Sequence, residues 1–227
     1  RIDGPAGFWP GVVGWHGTSV DEEGTLQVAA HEYEGALLRC YQNGGGGWSA
    51  VSVGPSGSGY DPQLRTRAGR TYILHRTIAA WSSGPLRLAS GPASGPWLLE
   101  DAIPAAPVGE CSMAAGVSGA LHLVYVRGDR TGLLYRRRDT AGVWTEEPIT
   151  EAGAPRASAV AVDSTGGVFV VWHESAKGEL WFAQKTGGVW TPELLHRHSG
   201  GNLGADCSIA WGNGLHVAYR NTVQNDL

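Results

Sequence analysis

Five tryptophans divide this chain at nearly even steps. Trp9, Trp48, Trp97, Trp144 and Trp190 each close a Gly-x-Trp triplet, and they stand 39, 49, 47 and 46 residues apart. Counted on past Leu227 and in again at Arg1, the step from Trp190 to Trp9 is 46 residues, so the period closes through the termini. Between the triplets lie apolar runs: L-Q-V-A-A-H-E from Leu26, T-Y-I-L-H-R-T from Thr71, L-H-L-V-Y-V-R from Leu121, V-F-V-V-W-H-E from Val168 and L-H-V-A-Y-R-N from Leu215. Alternation with β-branched and aromatic residues makes each of these a strand. A second run follows each, read as G-A-L-L-R, G-P-L-R-L, G-L-L-Y-R-R-R, G-E-L-W-F and N-D-L. The joining turns carry Gly35, Gly84, Gly132, Gly178 and Asn225, the residue types that tolerate positive φ.

A unit of about 45 residues with four strands has the period of a β-propeller blade. The expectation is an all-β, five-bladed β-propeller, a single domain over residues 1–227, with one blade shared between the N- and C-terminal segments. In each blade the fourth strand opens at the signature Trp, which is expected to be largely buried against the neighbouring blade. The first strands are expected to start at His16, Pro62, Cys111, Ala157 and Cys207.

Composition narrows the function classes. The chain is 42% apolar and 17% charged with 35 glycines, as suits a turn-rich all-β protein. A net charge of -4 and the lack of any basic block argue against a nucleic-acid partner. No apolar run reaches the roughly 18 residues of a membrane span. With no leader and no initiator Met, the expectation is a processed or trimmed form of a secreted or extracellular protein. Cys40, Cys111 and Cys207 are odd in number; Cys111 and Cys207 fall in matching E-C-S and D-C-S segments of non-neighbouring blades. All three read as small buried hydrophobes rather than as a disulfide or a catalytic thiol.

The order of apolar strand, G-x-L strand, G-x-W and then A-V-D-x-x-G resembles the blade repeat of sialidase-like propellers. In blade count and length the chain is similar to small propeller lectins of the tachylectin type. The sialidase Asp-box survives in worn form as D-T-A-G-V-W from Asp139. The arginine triad and the Tyr-Glu pair of sialidases have no counterpart here, so the resemblance implies the fold and not neuraminidase activity.

On a propeller the loops entering the first strand and the ends of the second strand share one face. That face is expected to gather Trp15 and His16, then Asp61, Glu110, Arg156 and Asp206, with His31, Glu32, His75, Arg76, Arg127, His173, Glu174, Arg220 and Asn221. Trp81 joins them on the longest loop of that face. Trp15 and Trp81 lie in connecting segments, where an exposed indole usually has a partner. Two functions follow. One is a glycan or small-molecule binding module, with indole faces on sugar C–H surfaces and polar side chains on hydroxyls. The other is a glycoside hydrolase, with catalytic candidates Glu110, Glu174, Asp206 and His173. No cofactor is expected, and no compact ligand motif such as H-E-x-x-H points to a metal. The second-strand ends differ from blade to blade, which favours one central site over five equivalent ones.

Overall fold

The computed structural model describes residues 12–32, 37–57, 59–77, 85–103, 108–197 and 203–221. The chain forms two compact units, Arg1–Ala106 and Pro107–Leu227. In the first unit, β1 (Val12–Val20), β2 (Leu26–Glu32), β3 (Leu37–Asn43) and β4 (Trp48–Ser52) form one four-stranded sheet in chain order. A second sheet follows from β5 (Tyr60–Arg67), β6 (Arg70–Arg76), β7 (Leu86–Gly91) and β8 (Leu98–Ile103). In the second unit, β9 (Val108–Ala115), β10 (Leu121–Arg127), β11 (Leu133–Arg138) and β12 (Trp144–Thr150) repeat the pattern. So do β13 (Pro155–Val162), β14 (Val168–Glu174), β15 (Glu179–Thr186) and β16 (Val189–Arg197), while β17 (Leu203–Trp211) pairs with β18 (Leu215–Asn221). All pairings are antiparallel, as short turns between successive strands require. No helix occurs among the described residues, and so none is long and apolar enough to cross a membrane.

The core sits between sheets. The second strand of each four-stranded sheet is buried almost end to end, whereas β4 and β16 are mostly exposed. In the first unit Leu38 and Cys40 of one sheet meet Leu64, Ile73 and Ala89 of the next. In the second unit Val124, Val126, Leu133 and Tyr135 meet Val170, Trp172 and Ala183. Each fully buried Leu or Ile contributes roughly 1.5–3 kcal/mol by removal from water. First strands lie side by side: β1 on β5, β9 on β13 and β13 on β17. The β1–β5 approach is so close that a Cβ at Gly17 would lie 2.6 Å from the Leu64 nitrogen. Gln27 Oε1 accepts from both the Thr66 and Thr71 hydroxyls, stitching the same joint.

Two expectations need correcting. The signature tryptophans Trp48, Trp97, Trp144 and Trp190 are half-buried rather than largely buried. Trp190 does pack on the preceding sheet, edge-on to Tyr135 at 5.1 Å, with Nε1 donating to Glu147 Oε1 at 2.7 Å. An indole that keeps a hydrogen bond at the sheet rim stays partly wet. Of the turn residues, Gly178 has φ +64, but at the β10–β11 turn the left-handed residue is Arg130 (φ +62), not Gly132. Gly132 is instead a close-approach site, where a Cβ would lie 3.0 Å from the Thr150 carbonyl oxygen. Gly35, Gly84, Asn225, Trp9 and the terminal residues 1–11 and 222–227 of the expected shared blade lie outside the described residues.

One feature recurs in all five sheets. Near its start every first strand slips register against its partner: between Val12 and His16, Tyr60 and Gln63, Val108 and Cys111, Arg156 and Ser158, and Ala205 and Ser208. These are β-bulges, which leave residues unpaired and re-aim their side chains. They explain why the first strands begin three or so residues earlier than the sequence suggests: the regular alternation starts only beyond the bulge. They also place Trp15 within β1 at its bulge, not in a connecting loop.

Candidate functional site

In the first unit the β5 bulge is the centre of interest. Asp61 has φ +50, in a left-handed region that Asp visits more readily than most residues. Such a conformation costs of order 1 kcal/mol or more and persists only where the surroundings dictate it. They do so here through Gly59 and Tyr60. Gly59 has φ +100, its N–H donates to the Arg76 carbonyl at 2.9 Å, and a Cβ there would lie 2.4 Å from Leu38 Cβ. Tyr60 pairs in register with Arg76, and its ring lies against His31 of the neighbouring sheet, centroids 4.2 Å apart and planes tilted by 33°. Asp61 thus projects a half-exposed carboxylate whose Oδ2 lies 3.5 Å from Nε of Arg76, a side chain only 3% exposed.

His75 lies opposite the bulge and is buried. Its Nδ1–H donates to the Arg76 carbonyl at 3.3 Å, which leaves Nε2 as a lone-pair acceptor. Among the described residues that buried Nε2 meets no hydrogen-bond donor. Burial, with a lesser push from Arg87, lowers the His75 pKa to about 4, so the ring is neutral at physiological pH. Glu32, by contrast, is turned to its own sheet. Its carboxylate accepts from Arg39 Nε at 2.8 Å and from the Tyr41 hydroxyl at 2.6 Å. Burial first, and then that carboxylate, push the Tyr41 phenol up to about 12. His16 lies on β1, exposed. Trp81 and the side chain of Trp15 lie outside the described residues.

In the second unit the same bulge recurs in β17. Asp206 has φ +56 and its Oδ2 lies 3.0 Å from Nη2 of Arg220. Both partners are exposed, Asp206 by 73% and Arg220 by 49%. The next residue, Cys207, donates its thiol to the Ala157 carbonyl at 2.8 Å, and burial pushes it up to about 12. A thiol held there is no nucleophile at neutral pH. Buried Cys40 is likewise raised to about 12. Cys111, like Cys207, is only half-buried.

Glu174 closes β14 and is buried. One of its oxygens accepts from the Ala154 N–H at 2.7 Å, and the carboxylate fills the space where a Cβ on Gly153 would sit. Ser175 Oγ donates to the Ala154 carbonyl and accepts from Arg156 Nε at 3.2 Å. Arg156, Glu174 and Ser175 therefore lock the loop that leads into β13. His173, also buried, pairs in register with Arg156. Glu110 is half-buried in the β9 bulge, and Arg127 closes β10 opposite Val108. Asn221 ends β18. Among the described residues no three His, Cys, Asp or Glu side chains gather closely enough to hold a metal ion.

Sequence reading picked Asp61, Arg76, Asp206 and Arg220 one by one but missed that they form two copies of one motif. The signal was present as Gly59-Tyr60-Asp61 and Gly204-Ala205-Asp206, each followed by an arginine at or next to the end of the next strand. Tyr60 was missed altogether. It looks like an ordinary strand residue until its ring contact with His31 is seen.

No known protein family matches the sequence, and no curated protein does either. Solved structures do match in three dimensions. A Penicillium chrysogenum α-L-arabinanase aligns with TM-score 0.64 at 13% identity, over 90% of this chain and 74% of that one. A fucose-specific lectin from Aleuria aurantia aligns with TM-score 0.63 at 17% identity, over 92% and 70%. A GH43_1 enzyme from Xanthomonas citri gives TM-score 0.52 at 14% identity, over 93% and 83%. Together with the repeated four-stranded antiparallel sheets, these decide the architecture. The fold is a β-propeller. At such identities the likeness covers the propeller itself and leaves its chemistry to the residues just described.

Proposed function

We propose that this propeller is a lectin-like carbohydrate-binding module, with a site built on Asp61 and Arg76. The observation that carries the reading is the left-handed bulge that holds a half-exposed carboxylate against a buried guanidinium. A carboxylate so fixed accepts hydrogen bonds from two adjacent sugar hydroxyls, and charge-assisted bonds of this kind are about twice as strong as neutral ones. Half-buried Tyr60, its ring tilted by 33° against that of His31, offers an aromatic surface for the apolar C–H face of a pyranose or furanose ring.

Binding is favoured over hydrolysis by the state of the acids. A glycosidase needs one carboxyl group poised as a proton donor and a second across the scissile bond. Glu174 is tied to backbone N–H groups, and Glu32 to Arg39 and Tyr41. Asp61 and Asp206 are each paired with an arginine. The fucose-specific lectin and the arabinanase among the structural neighbours supply the first sugars to try.

The test is a glycan array that includes L-fucose, arabinobiose and galactose, followed by Asp61→Asn. Asn keeps the left-handed backbone while removing the charge. Affinity for the best hit is expected to fall at least tenfold, about 1.4 kcal/mol, with circular dichroism unchanged. Unchanged affinity would overturn the site. Steady release of reducing sugar from arabino-oligosaccharides would favour the hydrolase instead.

A further inference from the structure

We infer that the chain carries a second saccharide site, at Asp206 and Arg220, equivalent to the first. The inference rests on the binding-module reading and extends it from one site to two. Its basis is register. In the β5–β6 pair, Tyr60 faces Arg76, residues Asp61 and Pro62 oppose His75, and regular pairing resumes at Gln63 with Leu74. In the β17–β18 pair, Ala205 faces Arg220, residues Asp206 and Cys207 oppose Tyr219, and pairing resumes at Ser208 with Ala218. Residue for residue these are the same bulge. The first bulged residue is Asp in both, at φ +50 and +56. The residue paired just before it faces Arg in both, and the Asp–Arg ion pair forms in both, at 3.5 and 3.0 Å.

Bulges in the other three sheets show that this chemistry is not imposed by the backbone. The β13 bulge puts Ala157 at φ +39, with no carboxylate, and the second-strand partners there are His173 and Trp172. The β9 bulge carries Gly109 and Glu110 opposite Val126. The β1 bulge covers the step from Val12 to His16, opposite His31. A bulge thus accepts Ala or Gly, and the Asp–Arg pair is a choice of side chains made twice. Asp206 presents its carboxylate to water, where an arginine that is itself half-exposed can donate to the same ligand. This fits a terminal monosaccharide with vicinal hydroxyls, held by a fork of donors and an acceptor. Behind it stands Tyr219 instead of His75, with its hydroxyl bonded to His196 Nδ1 at 2.6 Å. The ring behind the bulge therefore differs between the two sites, and their affinities should differ with it.

The experiment is an amide-resolved NMR titration of the full chain with L-fucose, arabinobiose and galactose, each alone. A bound sugar is expected to shift two separate groups of amides, around Asp61 and Arg76 and around Asp206 and Arg220, with different dissociation constants. Asp206→Asn should weaken the second group's isotherm at least tenfold and leave the first within about twofold. Arg220→Gln should do the same. Asp61→Asn should give the mirror result. Shifts confined to the Asp61 group in the wild type would overturn the second site and leave the binding-module reading intact. So would second-group shifts that neither Asp206→Asn nor Arg220→Gln alters. If no probe shifts either group, both readings fall together.

Discussion

Asp61 and Asp206 stand on the same step of the same bulge, yet their surroundings differ sharply. Arg76, beside Asp61, is 3% exposed, whereas Arg220, beside Asp206, is 49% exposed. Below the first lies a buried neutral histidine, and below the second a tyrosine bonded to its neighbour. The contrast separates what the backbone repeats from what each sheet adds. Bulge, strain and ion pair are repeated; depth is not. Depth decides the energetics, because an ion pair near bulk water is worth about 0–1 kcal/mol. A buried arginine that loses its counter-ion is a far larger liability.

The strongest lever on this contrast is Gly59. Its φ of +100 and the 2.4 Å approach to Leu38 Cβ leave no room for a side chain. Gly59→Ala combines overpacking with backbone strain and should cost on the order of 3–5 kcal/mol, read by urea unfolding. A cost under about 1 kcal/mol would mean that the segment leading into Asp61 is not pinned as described.

Acid gives the next effect. His75 titrates near 6.5 when unfolded and near 4 when folded, so the unfolded chain binds the proton first as pH falls. The stability due to its burial is complete above pH 6.5 and lost progressively down to about 4, roughly 3 kcal/mol in all at ~1.4 kcal/mol per pKa unit. His122 of the second unit, buried and bonded to the Tyr135 hydroxyl, is lowered to about 4 as well and adds a similar slope. His75→Gln should therefore remove about half of the pH dependence between 6.5 and 4 in chemical denaturation. A slope untouched by His75→Gln would show that water reaches the ring.

Smallest, and most direct, is the paired substitution. Asp61→Asn should destabilise by roughly 1–3 kcal/mol, less than a fully buried pair because Asp61 is half-exposed. Asp206→Asn should change stability by less than about 0.5 kcal/mol. Equal effects in the two variants would erase the distinction of depth.

Much of this architecture is legible in the sequence, for a definite reason. Strands, turns and the period are written in residue types: alternation in V-F-V-V-W, glycine at the turns, tryptophan at the fourth strand. A bulge is written in register instead. Nothing in the composition of Tyr60-Asp61-Pro62 says that two residues oppose one, so the first strands were read as starting late and the two Asp–Arg pairs went unpaired. Second-strand ends such as His31-Glu32 and Arg76-Thr77 differ from blade to blade, and that difference is what the sequence offers in favour of a single site. Glu174 shows the opposite failure. By type and position it looked catalytic, and only its bonds to the Ala154–Gly153 backbone reveal a loop anchor.

Ala157 holds the left-handed bulge conformation with a side chain that gains nothing from it. Because the ladder on either side of the bulge is undisturbed by what that residue carries, such a position is free to change its chemistry in a single step without repacking the blade. A propeller built this way behaves as a rack of interchangeable fittings. New recognition can appear at one bulge while the others go on doing what they did before.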